Sequence, residues 1–337
     1  MSRRDLPTVY RAAAPARLDF AGAWTDVAPF AEREGGVVVN AAIGLLAHAE
    51  LQLGGERIRL VSLDLGQTFE CVNSGGLVRD GRLELLKAGL RMLPVTTPCT
   101  LTTRSDAPPG SGLGASGALD VALVACLGAA RQERRDAREL AEQACYLEAV
   151  EAGVPGGRQD QYAAALGGFN RLTFRGPDVG VEPITLDAAF AAELERRMLL
   201  CYTGVSRVSG DTIARVMAAY EARNPGVTGA LRALKDIAEA MAEALRKADV
   251  ARVGALLAEN WTRQQALDPG MCTAPMTQLE RVLSGVGGLG GKAAGAGAGG
   301  CMFFVIGGDR RRAEEAVREA GATLLPLSWC REGARAW

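Results

Sequence analysis

The sequence is poor in residues on which several kinds of chemistry depend. Its 337 residues include a single histidine, His48, so a Ser–His–Asp mechanism has almost nothing to draw on. Eight cysteines are present, but none forms a CxxC pair, and most lie in apolar runs where a thiol packs as a small core residue. We therefore expect neither zinc nor disulfides, and we interpret the cysteines as reduced thiols of a cytoplasmic protein.

An excess of positive charge and long apolar runs are also missing. Lys and Arg number 38 against 39 Asp and Glu, and a net charge of −1 argues against a general nucleic-acid or anionic-membrane surface, although it leaves room for a local basic pocket. No uninterrupted apolar stretch reaches the roughly 18 residues of a membrane helix. The first residues carry charges without the apolar core of a signal peptide. We expect no nucleic-acid partner and no membrane association.

The chain does have two glycine-rich stretches, each beside a strongly patterned segment. Two prolines and a glycine-rich turn, within residues 105–114, precede an Ala-, Leu- and Val-rich helix that we predict at Ala115–Ala130. A second such stretch, residues 285–300, precedes a strand predicted at Cys301–Ile306.

The pattern of the remaining segments indicates a protein that contains both helices and strands. Strands separated by turns are predicted in the first 100 residues, at 37–44, 46–53 and 58–63. After a change of composition around residues 170–195, helices are predicted at about 208–222, 227–247 and 250–265. The length exceeds the size at which one core usually keeps growing. We therefore predict an α+β protein of two domains, residues 1–180 and 181–337.

A tight glycine turn before a helix can bind phosphate, because its N–H groups converge and the helix dipole adds positive potential. A plain connection between strand and helix is the alternative. The Walker A pattern is absent, since Ala293 follows the only candidate lysine, Lys292. The pattern GxGxxG occurs at residues 112–117 and 295–300, but neither copy opens a strand–helix–strand unit with an acidic residue on its second strand. A nicotinamide-dinucleotide enzyme is therefore the poorer interpretation.

Three motifs, in order along most of the chain, resemble those of the GHMP small-molecule kinases. PPGSGLGASGAL is similar to the family's central ATP-binding motif, residues 14–43 to its N-terminal sugar-kinase motif, and GGKAAGAGAGGCMFFV in outline to its C-terminal glycine motif. VPGGRQDQYAAALGGFN and CYTGVSRVSGDTIARV resemble the D-glycero-D-manno-heptose 7-phosphate kinase group. DFAGAWTDVAP is closer to L-fucokinases because of Trp24.

This resemblance implies the two-domain GHMP kinase fold, with an N-terminal domain like ribosomal protein S5 domain 2 and a ferredoxin-like C-terminal domain. It implies ATP and Mg²⁺ as cofactors and transfer of the γ-phosphate to the anomeric hydroxyl of a hexose or heptose. The product, a sugar 1-phosphate, would serve nucleotide-sugar synthesis. A kinase for a non-sugar alcohol and a non-catalytic ATP- and sugar-binding sensor are the alternatives. The sugar itself does not follow from the sequence; the arginines available for a sugar phosphate are Arg33, Arg158, Arg207 and Arg263.

The resemblance also assigns the nucleotide and metal residues. The implied ATP loop consists of Pro109, Gly110, Ser111, Gly112, Leu113, Gly114, Ala115 and Ser116. The Ser116 hydroxyl would face Mg²⁺, and Glu148 on the next helix would complete the metal site. Glu142 and Glu151 are rivals on the same helix, and a solvated helix face is the alternative for all three.

The remaining assignments concern the acceptor. Asp160 matches the family's catalytic aspartate, although it is also in a position to cap a helix. Arg17 matches a basic residue near the transferring phosphate, with a surface ion pair as the alternative. Trp24 is expected either to stack on the sugar or to pack in the core. The residues expected to contact the substrate are Trp24, Asp26, Tyr202, Gly295 and Gly297, with Arg207 nearby.

Overall fold

The computed structural model describes residues 8–95, 98–205 and 210–337. Within these ranges, eight strands form one sheet and four form a second. In chain order the strands are β1 (Val9–Ala21), β2 (Gly36–Leu53), β3 (Ile58–Ser62), β4 (Gln67–Cys71), β5 (Cys99–Ser105), β6 (Phe169–Arg175), β7 (Asp178–Pro183), β8 (Met198–Tyr202), β9 (Gly288–Ala293), β10 (Cys301–Ile306), β11 (Thr323–Leu325) and β12 (Arg335–Ala336).

The helices pack on these sheets and on one another. They are α1 (Phe30–Arg33), α2 (Glu84–Met92), α3 (Ala115–Ala130), α4 (Ala137–Tyr146), α5 (Gln159–Leu166), α6 (Ala188–Arg197), α7 (Gly210–Glu221), α8 (Pro225–Arg246), α9 (Val250–Gln265), α10 (Ala274–Ser284) and α11 (Arg310–Glu319). A π-helical turn, Leu147–Ala152, continues α4 and ends at Gly153, whose φ is +73°. None of the helices in the described ranges combines the length and apolar character that a membrane crossing requires.

Strand β2 organises the first sheet. It pairs with β1 along one side, whereas its other side is shared by β6 in the first half and β5 in the second. The two strands predicted at 37–44 and 46–53 are therefore one strand of 18 residues. No turn separates them because β1 follows β2 through an irregularity between Pro15 and Ala16.

The first sheet is covered on both faces, which explains the continuous apolar run at the start of β2. Val38 belongs to the core under α3, whereas Val37 and Val39 belong to the core that includes α8. Successive side chains of a strand point to opposite faces, so a run of three valines fills both cores.

The second sheet has the order β11-β8-β10-β9 and packs against the first. The Phe20 ring of β1 lies 5.5 Å, centroid to centroid, from the Phe303 ring of β10. Strand β7 runs to Pro183, and β12, near the end of the chain, returns to pair with β1. The division near residue 180 remains a prediction, and the described strands place the last residues on the first sheet.

Candidate active site

The two glycine-rich loops face and contact each other. A Cβ atom on Gly295 would lie 2.4 Å from the Gly112 carbonyl oxygen, and one on Gly300 would lie 2.6 Å from the Ser111 carbonyl oxygen. The Cys301 amide donates a hydrogen bond of 2.7 Å to that same oxygen of Ser111. Glycine is required at these positions because any side chain would force the loops apart.

A cavity of about 460 Å³ opens where the loops meet the turn after β1, the π-helical turn and the start of α5. Most of the predicted site residues line it. They are Arg17, Trp24, Asp26, Gly110, Ser111, Gly112, Gly114, Ala115, Ser116, Glu148, Asp160 and Gly295.

Four predicted residues are not among the described residues that line this cavity: Pro109, Leu113, Tyr202 and Gly297. Leu113 is fully buried in the core, and Tyr202 ends β8 beside that core. Gly297 has φ +88°, and a Cβ there would lie 2.6 Å from the Met271 sulfur. Both residues pack in the C-terminal half, and the contact of Tyr202 and Gly297 with substrate stays a prediction. Arg207 lies outside the described residues.

A hydroxyl–carboxylate pair stands at the start of α3. The Ser116 hydroxyl donates to Glu148 Oε1 at 2.7 Å, and Gln161 Nε2 donates to Glu148 Oε2 at 2.6 Å. Burial raises the pKa of Glu148, and the Asp160 carboxylate raises it further, while the two hydrogen bonds lower it. The two donors hold both carboxylate oxygens in a fixed position facing the loop.

The π-helical turn explains how Glu148 comes to face Ser116. A π turn holds one extra residue and so redirects the side chains that follow, a device common at functional sites. Two arginines fix its end: Arg79 donates to the Val150 carbonyl at 2.8 Å and Arg91 to the Glu151 carbonyl at 2.7 Å.

The rival glutamates have other partners. Glu142 forms an exposed pair with Arg138 at 2.9 Å, and Glu151 lies 3.7 Å from Arg91. Neither residue lines the cavity among the described residues. Of the three glutamates considered, Glu148 is therefore the one that reaches Ser116.

These residues fit Mg²⁺ bound together with a nucleotide. A hydroxyl and a carboxylate supply hard oxygen ligands, and Mg²⁺ commonly takes only one or two such protein groups beside phosphates and water. Throughout the described ranges, no group of three or more His, Cys, Asp or Glu side chains could hold a metal by itself. The buried Ser111 hydroxyl has no hydrogen-bond partner among the described residues, which suits a loop that receives phosphate oxygens.

Asp160 and Arg17 form an ion pair at the centre of the cleft. Arg17 Nε donates to Asp160 Oδ1 at 2.8 Å, and Arg17 Nη1 donates to the carbonyls of Gly112 at 2.6 Å and Ala294 at 2.9 Å. The guanidinium thus joins Asp160 to both glycine loops. A Cβ on Gly114 would lie 3.1 Å from the Asp160 carboxylate carbon, so the pair lies directly under the ATP loop.

The structural alternatives for this pair are not observed. Asp160 lies in the first turn of α5, which starts after Arg158 without a side-chain cap. Arg17 is only 5% exposed, so the pair is not a surface ion pair.

The acceptor end of the cavity contains Asp26 and Trp24. The Gln159 amide donates to Asp26 Oδ2 at 3.1 Å, and a Cβ on Gly157 would lie 2.1 Å from that oxygen. Burial raises the pKa of Asp26 to about 6; the Gln159 amide opposes this rise, and the Asp160 and Asp19 carboxylates add to it. Trp24 packs with a buried apolar cluster and also lines the cavity, and its stacking on a sugar stays a prediction.

Sequence reasoning missed a buried ion pair beneath the site. Lys292 donates to the Asp19 carboxylate, to the Asp19 carbonyl at 2.7 Å and to the Ala293 carbonyl at 2.9 Å. Both side chains are fully buried, and burial lowers the pKa of Lys292, which Asp19 opposes. The pair ties β1 to β9 next to the second glycine loop. The available sequence signal was a charged residue of opposite sign in each of two largely uncharged strands, Asp19 in β1 and Lys292 in β9.

Asp120 is a second residue that sequence reasoning missed. It lies one helical turn after Ser116 on α3 and is fully buried. Burial raises its pKa well above the ordinary value, and the nearby carboxylates of Glu148 and Asp160 raise it further. A third buried carboxyl group therefore lies close to Glu148 and Asp160.

The arginines considered for a sugar phosphate lie elsewhere. Arg33 forms an exposed pair with Glu221, Arg158 donates to the carbonyls of residues 176 and 177, and Arg263 is exposed on α9. Among the described residues, Arg17 is the cation that lines the cavity.

Phosphoryl transfer to a hydroxyl requires a cradle for the donor phosphates, oxygen ligands for a divalent cation, and a carboxylate beside the acceptor. Here a glycine-rich loop, the Ser116–Glu148 pair and Asp160 line one cavity, an arrangement that fits a small-molecule kinase. The model for the GHMP kinases N-terminal domain matches residues 82–168, and the model for the GHMP kinases C-terminal domain matches residues 241–323. The chain belongs to the GHMP kinase family.

Relatives match the chain over nearly its whole length. The D-glycero-alpha-D-manno-heptose 7-phosphate kinase of Campylobacter jejuni is 30% identical over 343 residues, covering 97% of this chain and 98% of the relative. The crystal structure of a D-glycero-D-manno-heptose 1-phosphate kinase from Bacteroides thetaiotaomicron has a TM-score of 0.78 at 29% identity, covering 97% of this chain and 98% of the other. The bifunctional fucokinase/GDP-fucose pyrophosphorylase of Arabidopsis thaliana is 27% identical over 323 residues, which are 89% of this chain and 30% of that protein.

These similarities confirm several predictions. The two-domain GHMP kinase fold is confirmed, as is the relation to the heptose-phosphate kinase and fucokinase group. As a member of this family the protein is a phosphotransferase that uses ATP with Mg²⁺.

Proposed function

We propose that the protein is an ATP-dependent sugar kinase that phosphorylates the anomeric hydroxyl of a hexose or heptose, or of its phosphate. The product is a sugar 1-phosphate for nucleotide-sugar synthesis. Two kinds of support are available: the relatives named for heptose-phosphate and fucose kinase activity, and the acidic, hydrogen-bonding acceptor end of the cavity. The observation that carries the proposal is the position of Asp160, between the ATP loop and the turn containing Trp24 and Asp26.

In this proposal Asp160 orients the acceptor hydroxyl and accepts its proton. Arg17 holds Oδ1, so Oδ2, which faces the loop at Gly114, is the oxygen that meets the hydroxyl. As the new oxygen–phosphorus bond forms, the bond between the γ-phosphorus and the bridging oxygen breaks, ADP leaves and the hydroxyl proton passes to Asp160.

Arg17 stabilises the negative charge that develops on the transferring group. Its guanidinium is held rigidly by Gly112, Ala294 and Asp160, so little reorganisation is needed during the reaction. Ser116 and Glu148 would hold Mg²⁺, which neutralises phosphate charge when bound. In this proposal the nucleotide binds along the loop from Pro109 to Ser116, opposite Gly295 of the second glycine-rich loop.

The direct test is Asp160→Asn, which keeps the size of the side chain and removes the charge and the proton acceptor. Turnover with the preferred sugar is expected to fall by roughly 10²–10⁴, while ATP affinity stays constant. Asp178→Asn, an exposed aspartate on β7, is the matched control. Steady-state ADP release with a panel of sugars and non-sugar alcohols, beside an ATP-binding titration, provides the readout. Undiminished turnover would eliminate Asp160 as the catalytic residue.

A further inference from the structure

Besides the Ser111 hydroxyl of the ATP loop, two buried polar atoms of cavity-lining residues have no hydrogen-bond partner among the described residues. They are Gln159 Oε1 and Trp24 Nε1. The residues are 5% and 3% exposed, and both line the cavity. Buried polar groups in proteins are nearly always hydrogen-bonded. An unpaired acceptor and an unpaired donor in one cavity therefore indicate a ligand that supplies both partners.

Asp26 connects the two residues. The Gln159 backbone amide donates to Asp26 Oδ2 at 3.1 Å, and the Asn40 side-chain amide donates to the Gln159 carbonyl at 3.4 Å. Trp24 is two residues before Asp26 in the same turn. The backbone of Gln159 is thus fixed on both sides, and the side chain of this cavity-lining residue starts from a rigid base.

Trp24 adopts an unusual backbone conformation. Its φ is +77°, in the left-handed region that bulky residues rarely occupy. Such conformations persist only where the surroundings determine them, and they concentrate at functional sites. Here the ring packs against an apolar cluster that contains Val27 and Phe30, while the indole N–H stays unpaired.

We propose that Gln159 is a specificity-determining residue. Its side-chain amide, together with the Trp24 indole N–H, forms hydrogen bonds with hydroxyl groups of the acceptor other than the one that reacts. A hydroxyl both donates and accepts, so the hydroxyls of a sugar can partner an unpaired acceptor as well as an unpaired donor. The inference rests on the proposed sugar kinase function and narrows its substrate: the portion of the sugar held here is unphosphorylated.

The charges at this end of the cavity support an unphosphorylated portion of the sugar at this position. A phosphate group offers acceptors and negative charge, yet it would face the Asp26 and Asp160 carboxylates, and the nearby Arg17 is already paired with Asp160. Like charges placed together in a buried site are strongly unfavourable. A neutral polyol meets no such repulsion and matches the hydrogen-bonding groups.

The test compares a sugar that the wild type phosphorylates with its monodeoxy analogues, using kcat/KM and the KM for ATP. The wild type is expected to discriminate about 10- to 100-fold against one analogue, the size of one or two hydrogen bonds. Gln159→Leu, which removes the acceptor oxygen without adding charge, should lose most of that discrimination. Trp24→Phe preserves the packing and is also expected to reduce the discrimination. Gln67→Leu, an exposed glutamine on β4, is the matched control.

The outcomes of this test distinguish a role of Gln159 in specificity from a structural role. If Gln159→Leu lowers kcat/KM equally for the sugar and all its deoxy analogues, the residue has a structural role. The inference is then refuted, while the proposed sugar kinase function stands. If Gln159→Leu fails to fold, Trp24→Phe decides: wild-type preferences in that variant would refute the inference. If the wild type phosphorylates only a non-sugar alcohol, the proposed function fails and this inference fails with it.

Discussion

Replacing Asp26 with asparagine is expected to stabilise the protein at neutral pH while weakening acceptor binding. Asp26 is 4% exposed, and burial raises its pKa from 3.8 to about 6, with the Asp160 and Asp19 carboxylates adding to the rise. Because the folded-state pKa lies above the unfolded value, the unfolded chain loses this proton more readily. The stability that the neutral carboxyl provides is complete below about pH 3.8 and is lost as the pH rises through about 6.

The magnitude follows from the difference between the two pKa values. One pKa unit corresponds to about 1.4 kcal/mol, so the raised pKa of Asp26 lowers the free energy of unfolding by about 3 kcal/mol at pH 7 and about 1 kcal/mol at pH 4.5, compared with its value at low pH. Asparagine has the same shape and no charge, and its side-chain oxygen can still accept from the Gln159 amide. Asp26→Asn should therefore raise the free energy of unfolding by up to these amounts at the two pH values.

Urea unfolding followed by circular dichroism at pH 4.5 and pH 7 measures this difference. Asp178→Asn, at an exposed position, is the control and should change neither value. The same Asp26→Asn variant should have a lower kcat/KM for the sugar, because an uncharged amide is a weaker acceptor than a carboxylate. A stability change that is equal at both pH values, or a loss of stability at pH 7, would refute the reasoning.

Two further substitutions test the metal site and the buried ion pair. Ser116→Ala should shift the Mg²⁺ dependence of ADP release to higher concentration with the fold intact, because a metal ligand is lost; titrations that overlay with wild type would remove Ser116 from the site. Lys292→Met should lower the free energy of unfolding by about 3–5 kcal/mol, because Asp19 remains buried without its cation. A loss below about 1 kcal/mol in urea unfolding would show that Asp19 is not held as a charge.

Local sequence signals located the regular elements that tertiary contacts do not reshape. The helix Ala115–Ala130 and the strand Cys301–Ile306 have the predicted bounds, since each is a dense apolar run beside glycine. Strand β1 was not predicted, because its sequence, VYRAAAPARLDFA, is rich in alanine and contains a proline. It forms because β2 pairs with it along its length, a contact that no local pattern shows.

In the candidate site, too, some residues could be predicted from the sequence and others could not. Motif resemblance identified Ser116, Glu148 and Asp160, which the structure brings into one cleft. The Lys292–Asp19 pair was missed because its partners are 273 positions apart. Gln159 was missed because its significance lies in an unpaired buried atom, a property of the folded chain alone.

The central claim, phosphorylation of the anomeric hydroxyl of a sugar, is tested most directly by the position of the phosphate in the product. The measurement is a two-dimensional phosphorus–proton correlation NMR spectrum of the product formed from ATP, Mg²⁺ and the preferred sugar. The proposed chemistry predicts coupling between the new phosphorus signal and the anomeric proton, with one ADP released for each sugar phosphorylated. Coupling to a proton on any other carbon would contradict the claim.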